Sequence, residues 1–354
     1  MSVIAVGGAT LTFIPEQAAR SALTPFLCLP CGDTGGSDLL LNIVLFLPLG
    51  ICLAAVGWNT AATALIGFAL SGLVEGLQYA VIPGRDASLS DLVANTAGAA
   101  LGWGLWASRD LWLRPSPAGT KRLLMVWGLG VTSLLAVTHW GLSTDPSGGT
   151  WHYEGAGDGS ALDFFAGRVL EVRLGGEPIP RGVAPPLFRE RTVRTVDTVR
   201  LEAEVQAGPQ GAQSGTIVSV ADSAKRVATF WQHGRDLAFS VRTRGARLGL
   251  LSPRFLLPQG MDAEPGDTLE LLGQLVAGRA TLMSQGTVDR SASVQLTALD
   301  SWAFFWPGII RQGMVLLWLR AGTAALILLP AWRWCLLWRV DKTKPPDSNE
   351  SGGH

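Results

Sequence analysis

Charged side chains are scarce in this chain, at 16% of its 354 residues, against roughly 25% in an average soluble protein. With 48% hydrophobic residues and a mean hydropathy of +0.29, this excludes a chain that is soluble throughout. An excess of either charge is also missing, because 28 basic residues balance 28 acidic ones. There is no electrostatic footprint for nucleic acid, which is therefore not expected as a partner. Four cysteines are too few for a disulfide-stapled scaffold. Histidine is rare and His152 and His233 stand alone, so a histidine metal site is not expected, and no metal or cofactor is. What remains is a membrane protein with a second part attached.

Apolar segments of spanning or near-spanning length run from about Leu39 to Val56, Thr60 to Ile82, Leu92 to Ala107, Leu123 to Leu142 and Gly313 to Trp332. A hydrocarbon core roughly 30 Å thick needs runs of this kind. Met1–Ile14 is apolar but short, without the basic flank and cleavage site of a signal peptide, and reads as a shortened first helix. Five to six transmembrane helices are expected. Ser143–Asp300 has no apolar run and reads as a soluble domain, 301–340 as re-entry and final helix, and 341–354 as a polar, disordered tail.

Short cytoplasmic loops carry an excess of Lys and Arg. Arg109, Arg114, Lys121 and Arg122 fall in one loop, and Arg333, Arg339, Lys342 and Lys344 follow the last apolar run. Both clusters thread inside, which puts Ser143–Asp300, the Cys28–Asp38 stretch and the Pro83–Ser90 loop outside. Cys28-Leu-Pro-Cys31 has redox-motif spacing, but without a thioredoxin-like context it reads as a loop staple or two free thiols.

Three pairs of polar residues interrupt the apolar runs: Asp38 with Asn42, Glu75 with Gln78, and Asp91 with Asn95. Spacings of three and four put each pair on one helical face. Under this topology all lie near outer helix ends, where the connecting loop adds Arg85. Glu75 lies roughly 10 Å below the outer boundary at 1.5 Å per residue, a depth at which a carboxylate costs about 3 kcal/mol on insertion scales. Arg320 is about as deep in the last run, where it either snorkels to the interface or pairs with Glu75. These eight residues form the candidate ligand-binding cluster. The competing reading makes them helix caps and interhelical hydrogen bonds.

The run from Asp38 and Asn42 through Phe46, Pro48 and Gly50, then Ser71, Glu75 and Gln78, then Arg85, Asp91, Asn95, Thr96 and Gly98, resembles the VanZ-like membrane family over about residues 10–142. The resemblance implies a bacterial inner-membrane protein of several helices, linked in one case to glycopeptide resistance, with no reaction to carry over.

From Asp163 onward the pattern changes to short alternating segments between Gly, Pro, Asp and Ser. Leu201–Val205, Gly215–Val220, Arg226–Phe230, Leu237–Val241, Thr268–Leu272 and Ser293–Thr297 read as strands of an antiparallel sandwich. Their order, with Leu237-Ala-Phe-Ser-Val-Arg-Thr243, resembles the concanavalin A-like lectin/glucanase jelly roll of the laminin-G-like branch, which implies carbohydrate or protein binding and, in some members, calcium. Arg279–Gly286 departs from it, with Ser284-Gln-Gly where an Asn-Gly or Asp-Gly hairpin is expected. Glu202 and Glu204 share a strand face, read as solvated, and Trp231 reads as core rather than a sugar platform. Trp302, Phe304, Phe305, Trp306 and Pro307 read as an interfacial aromatic belt.

The sequence thus points to an α-helical membrane bundle plus an all-β jelly-roll sandwich outside the cytoplasm. Two functions compete. In one, the polar cluster and sandwich recognise a glycan, lipid headgroup or cell-wall precursor; in the other, the chain is a structural or accessory subunit docked to membrane-protein partners. A hydrolase reading has no visible nucleophile.

Overall fold

The computed structural model describes residues 34–81, 88–145, 151–155, 165–179, 198–209, 214–222, 225–305, 310 and 314–343. The Met1–Ile14 segment, Cys28, Cys31 and Arg85 lie outside them, and Gln78 is described only as part of a helix.

Six α-helices are described: α1 Gly35–Ala55, α2 Thr60–Val81, α3 Leu89–Ala107, the short α4 Arg109–Leu113, α5 Pro117–Leu142 and α6 Met314–Thr343. Asn59 starts α2 by accepting the Ala62 N–H through Oδ1 at 2.8 Å. Ser88 and Ser116 cap α3 and α5, each accepting a first-turn N–H through Oγ. Among the described residues, four helical stretches are long and apolar enough to cross a membrane: Gly35–Ala55, Thr60–Leu77, Pro117–Leu142 and Met314–Arg339. The remaining apolar segment, Leu92–Ala107, forms α3, which is not one of the four. Its composition explains why, since Ser90, Asp91, Asn95, Thr96, Gly98, Gly102 and Gly104 dilute its hydrophobicity.

The same small residues set its packing. A Cβ on Gly98 would lie 2.3 Å from the Ile43 carbonyl oxygen, one on Gly102 2.1 Å from that of Leu47, and one on Gly50 1.9 Å from that of Ala99. The backbones of α1 and α3 therefore touch along three successive contacts, the packing that small residues allow where lipid gives no hydrophobic drive between helices. α2 closes the bundle against α3. A second unit pairs α5 with α6, where Trp127 Nε1 donates to the Ile327 carbonyl at 2.9 Å and the Trp127 ring meets Trp334 edge-on at 5.9 Å.

The β region is a sandwich of two antiparallel sheets. Its strands are β1 Trp151–Gly155, β2 Arg168–Leu174, β3 Glu177–Pro178, β4 Thr198–Gln206, β5 Ser214–Asp222, β6 Lys225–His233, β7 Asp236–Val241, β8 Arg254–Leu257, β9 Thr268–Val276, β10 Arg279–Gln285 and β11 Arg290–Gln295. One sheet runs β1-β5-β6-β7-β8 and the other β11-β10-β9-β4-β2-β3. Strands β4 and β9 alternate strictly, burying Leu201, Ala203 and Val205 on one and Leu269, Leu271 and Leu275 on the other. Phe230, Phe239 and Phe255 fill the space between the sheets, and Gly273 makes room for two of them: a Cβ there would lie 2.5 Å from the Phe239 ring and 2.7 Å from that of Phe230.

Two expectations from the sequence shift. The expected Ser293–Thr297 strand becomes β11, which ends at Gln295 because Thr297 turns to give its N–H and hydroxyl to Asp300 Oδ2, at 2.7 and 2.9 Å. The hairpin expected at Ser284-Gln-Gly turns just after it: β10 runs to Gln285, Ser284 pairs with Arg290, and Gly286–Asp289 link β10 to β11. The β9–β10 turn is Ala277-Gly278, with φ of 47° and 77°, a pair of left-handed positions that Asn-Gly serves best. An alanine at the first is strained. Replacing Ala277 with asparagine should stabilise the sandwich by about 0.5–1 kcal/mol, read as a higher thermal midpoint of the full-length protein; an unchanged or lower midpoint would contradict the turn assignment.

Sandwich and helices are joined at several points. Ser37, in the first turn of α1, donates its N–H to the Gly249 carbonyl at 3.0 Å and its hydroxyl to the Phe304 carbonyl at 2.5 Å, and accepts the Leu251 N–H at 2.9 Å. A Cβ on neighbouring Gly36 would meet the Leu248 carbonyl oxygen at 2.0 Å. Past the end of α5, buried Asp145 accepts from Arg242 at 3.4 Å and from Arg247 at 2.8 Å. Phe304 is 3% exposed in the sandwich core, its ring against Gly141 of α5. This corrects the aromatic-belt reading for that residue, because an apolar ring beside a glycine gap gains more from burial than from the interface. Ile310 exchanges backbone hydrogen bonds with Arg254 and Leu256 on β8, at 2.7 and 3.2 Å, so the approach to α6 remains bonded to the sandwich.

Candidate functional site

Three polar helix ends converge. The turn linking α1 to α2 sends the start of α1, the end of α2 and the start of α3 to one end of the bundle, the end to which Ser37 docks the sandwich. There Asn42, half-buried, donates Nδ2 to Asp91 Oδ1 at 2.6 Å, tying α1 to α3. One turn deeper, Asn95 donates Nδ2 to Ser71 Oγ at 2.9 Å, tying α3 to α2. One turn from Ser71, Glu75 Oε2 accepts the Ser88 N–H at 2.9 Å. Asp38 is at the exposed rim and accepts from the Thr34 hydroxyl at 3.0 Å. Ser71 is fully buried, Asn95 2% exposed and Glu75 7% exposed.

These contacts explain how Glu75 is tolerated at depth. Its carboxylate lies on the amino end of α3, where first-turn N–H groups lack intrahelical acceptors and the helix dipole is positive. Asp91, in the first turn of the same helix, benefits likewise. From residue 21 to residue 108 the sequence has five carboxylates (Asp33, Asp38, Glu75, Asp86 and Asp91) and one basic residue, Arg85.

Of the eight candidate residues, Asp38, Asn42, Glu75, Asp91 and Asn95 come together here. Arg320 does not. Its guanidinium forks onto Asp300, Nε to Oδ1 and an Nη to Oδ2, both at 2.8 Å, and also donates to the Gln295 carbonyl. Equal depth in the bilayer therefore does not make it the partner of Glu75, because α6 pairs with α5 and presents Arg320 to the base of the sandwich. Arg85 and the Gln78 side chain lie outside the described residues. Ser71, Ser88 and Ser90 complete the cluster and were not among the eight. Their signal is one helical turn from Glu75 for Ser71 and a capping Ser-Leu-Ser-Asp run at 88–91 for the other two.

Chemically the cluster is rich in acceptors, with carboxylates, amides and hydroxyls. It suits holding a donor better than activating a bond. Among the described residues no group of three His, Cys, Asp or Glu side chains is arranged to hold a metal ion.

A second polar surface lies on the outer face of the larger sheet. Strand register places Glu171 opposite Glu204, Glu204 opposite Glu270, and Glu270 opposite Gln285, a row across four strands. They line a shallow cleft of about 260 Å³. Arg173 donates to both oxygens of Glu171, at 2.7 and 3.1 Å, which holds that carboxyl below the usual carboxylate range; Arg200 pairs with Glu202. Among the described residues, the lining of this cleft includes no aromatic ring on which a sugar could stack. Trp231 belongs to the other sheet, half-buried beneath the Arg254 guanidinium at 5.4 Å.

The VanZ/LLP1 family model matches residues 6–113, which takes in α1 to α3 and the whole polar cluster. No curated protein and no solved structure matches the chain.

Proposed function

We propose that this chain is a bacterial cytoplasmic-membrane envelope protein of VanZ-like type. Its polar cluster takes up a polar group presented at the outer membrane surface, a lipid headgroup or a lipid-linked cell-wall precursor, and the concanavalin A-like sandwich outside adds a glycan or peptide contact. A role in glycopeptide resistance fits such a ligand. The observation that carries this reading is the convergence of Asn42, Asp91, Asn95, Ser71 and Glu75 on the helix ends that bear the docked sandwich. Orientation is supported by the opposite end. There Arg333 donates to the Trp112 and Leu113 carbonyls, bringing the two basic stretches together on what the positive-inside rule makes the cytoplasmic face.

A specific observation also favours the structural alternative. The cluster closes on itself through Asn42–Asp91 and Asn95–Ser71, as helix-locking polar pairs do. Meanwhile α5 and α6 are buried over only 6% of their apolar windows, leaving surface for a membrane-protein partner.

Native mass spectrometry of the full-length protein extracted from its own membranes separates the two. Ligand recognition predicts a retained polar lipid or precursor, lost by about tenfold in Glu75→Gln, the scale of one charged hydrogen bond, with cooperative unfolding preserved. Wild-type protein that retains none, with Glu75→Gln lowering the thermal midpoint, supports the structural reading.

A further inference from the structure

A single 3-10 turn of the sandwich, Arg244–Leu248, closed by Gly249 at a φ of 69°, is seated on the ends of two apolar spans. Ser143, the residue after α5, accepts the Arg244 N–H at 2.9 Å, and Asp145 donates its own N–H to the Arg242 carbonyl at 3.1 Å. From the other side Ser37, in the first turn of α1, donates its N–H to the Gly249 carbonyl at 3.0 Å. Gly35–Ala55 and Pro117–Leu142 are each long and apolar enough to cross the hydrocarbon, so the place where their ends meet is the membrane boundary. The turn therefore lies at the level of lipid headgroups. Its charge is unbalanced there. Three arginines fall between residues 242 and 249, and the carboxylate that pairs with two of them is Asp145, 3.4 Å from Arg242 and 2.6 Å from Arg247. Arg242 alone answers Asp145, since both are enclosed, with side chains 10% and 4% exposed. Arg247 is 55% exposed, and the Arg244 side chain makes no hydrogen bond or ion pair among the described residues. Leu248 follows, itself 54% exposed.

We propose that this turn holds an anionic phospholipid of the leaflet on the sandwich side, with its phosphate on Arg244 and Arg247 and the start of an acyl chain along Leu248. This site is separate from the polar cluster of α1, α2 and α3, and neither reading needs the other. An exposed leucine beside surplus cationic charge is poorly matched to water and well matched to the interface, where chain meets headgroup. Guanidinium groups take phosphate oxygens through paired N–H donors. A headgroup of net negative charge is favoured over a zwitterion, because the ammonium of the latter brings like charge to the arginines. Free phosphate would use the arginines and leave Leu248 in water. Held here, the lipid fastens the base of the sandwich to the leaflet, as Ser37 fastens it to α1.

The test uses the full-length protein in phosphatidylcholine nanodiscs doped with a photoreactive lipid, either phosphatidylglycerol or phosphatidylcholine bearing a diazirine near the glycerol, with labelled peptides read by mass spectrometry. The peptide containing Leu248 should be labelled about fivefold more by phosphatidylglycerol, the preference that one arginine gives for an anionic lipid surface. Arg244→Gln should bring that ratio to near one and leave the thermal midpoint unchanged, since the side chain has no partner in the protein to lose, and Arg244→Lys should keep most of it. Leu248→Ser should lower labelling by both lipids alike and preserve the ratio. In the wild-type protein, about 1 M sodium chloride, at which the screening length is about 3 Å, should erase the ratio, which reads the charge without any substitution. Equal labelling by the two lipids at low salt overturns the proposal, as does an unlabelled Leu248 peptide, which would set the turn away from lipid. A preference that survives Arg244→Gln also overturns it. Loss of the preference on adding millimolar inorganic phosphate, but not sodium chloride of equal ionic strength, marks a site for the free anion and overturns the lipid assignment.

Discussion

Gly98→Val should dismantle the three-helix bundle. The first atom added, the Cβ, would lie 2.3 Å from the Ile43 carbonyl oxygen and 3.0 Å from two further backbone atoms of that residue, and backbone, unlike a side-chain tip, cannot rotate aside. α1 would have to withdraw, which stretches the Asn42–Asp91 bond and opens the neighbouring contacts at Gly102 and Gly50. Overpacking of this kind costs about 3 kcal/mol, and valine adds two methyl groups to the clash. The expected readout is a collapse of the thermal midpoint and of the monodisperse yield in detergent. Gly104→Val is the control, because nothing lies within 4 Å of a Cβ there, and it should change stability by no more than about 0.5 kcal/mol. If the two variants melt alike, α1 and α3 do not meet as described.

The second large effect is expected at Asp300, which is completely buried. It holds the Arg320 fork on one side and the Thr297 N–H and hydroxyl on the other. Asp300→Ala leaves a guanidinium near the membrane boundary without its carboxylate, a change that typically costs about 3–5 kcal/mol. A cycle of Asp300→Asn with Arg320→Gln should show strong coupling, since either change alone strands the other group. Glu75→Gln combined with Arg320→Gln should be additive, because the two residues serve different sites. Chemical denaturation of the full-length protein reads both cycles. Additivity at Asp300 and Arg320, or coupling between Arg320 and Glu75, would reverse the assignment.

Much of this architecture was legible from period and spacing alone. Strands β4 and β9 alternate because one face meets the opposite sheet and the other meets water, and that alternation is written in Leu201, Ala203 and Val205. β8 has no such signature, since Phe255, Leu256 and Leu257 are all buried. The polar cluster was legible because intervals of three and four fix a helical face, and helix order fixes which ends share a side. Arg320 was not, because depth along a helix says nothing about which neighbour flanks it, and Asp300 comes from a fold-back just outside the apolar run. Phe304 beside Trp302 and Pro307 looks interfacial in any linear reading, and only the gap at Gly141 shows where its ring goes. The low hydropathy of α3 is informative after the fact: the residues that make it a poor lone span make it the helix both neighbours can approach.

The Ser37 junction also governs how the protein comes to be made. Its hydrogen bonds reach 214 and 267 residues along the chain, so the amino end of α1 enters the bilayer long before its partners have been synthesised. During synthesis at about 5–20 residues per second, that end spends on the order of ten seconds or more without the loop and the Phe304 carbonyl that finally hold it. The three-helix bundle therefore precedes the sandwich, and the amino end of α1 gains its last hydrogen bond only when the chain has reached Phe304. Arrest of synthesis before residue 249 would leave that end of α1 without the Gly249, Leu251 and Phe304 backbone groups to which Ser37 bonds in the finished protein.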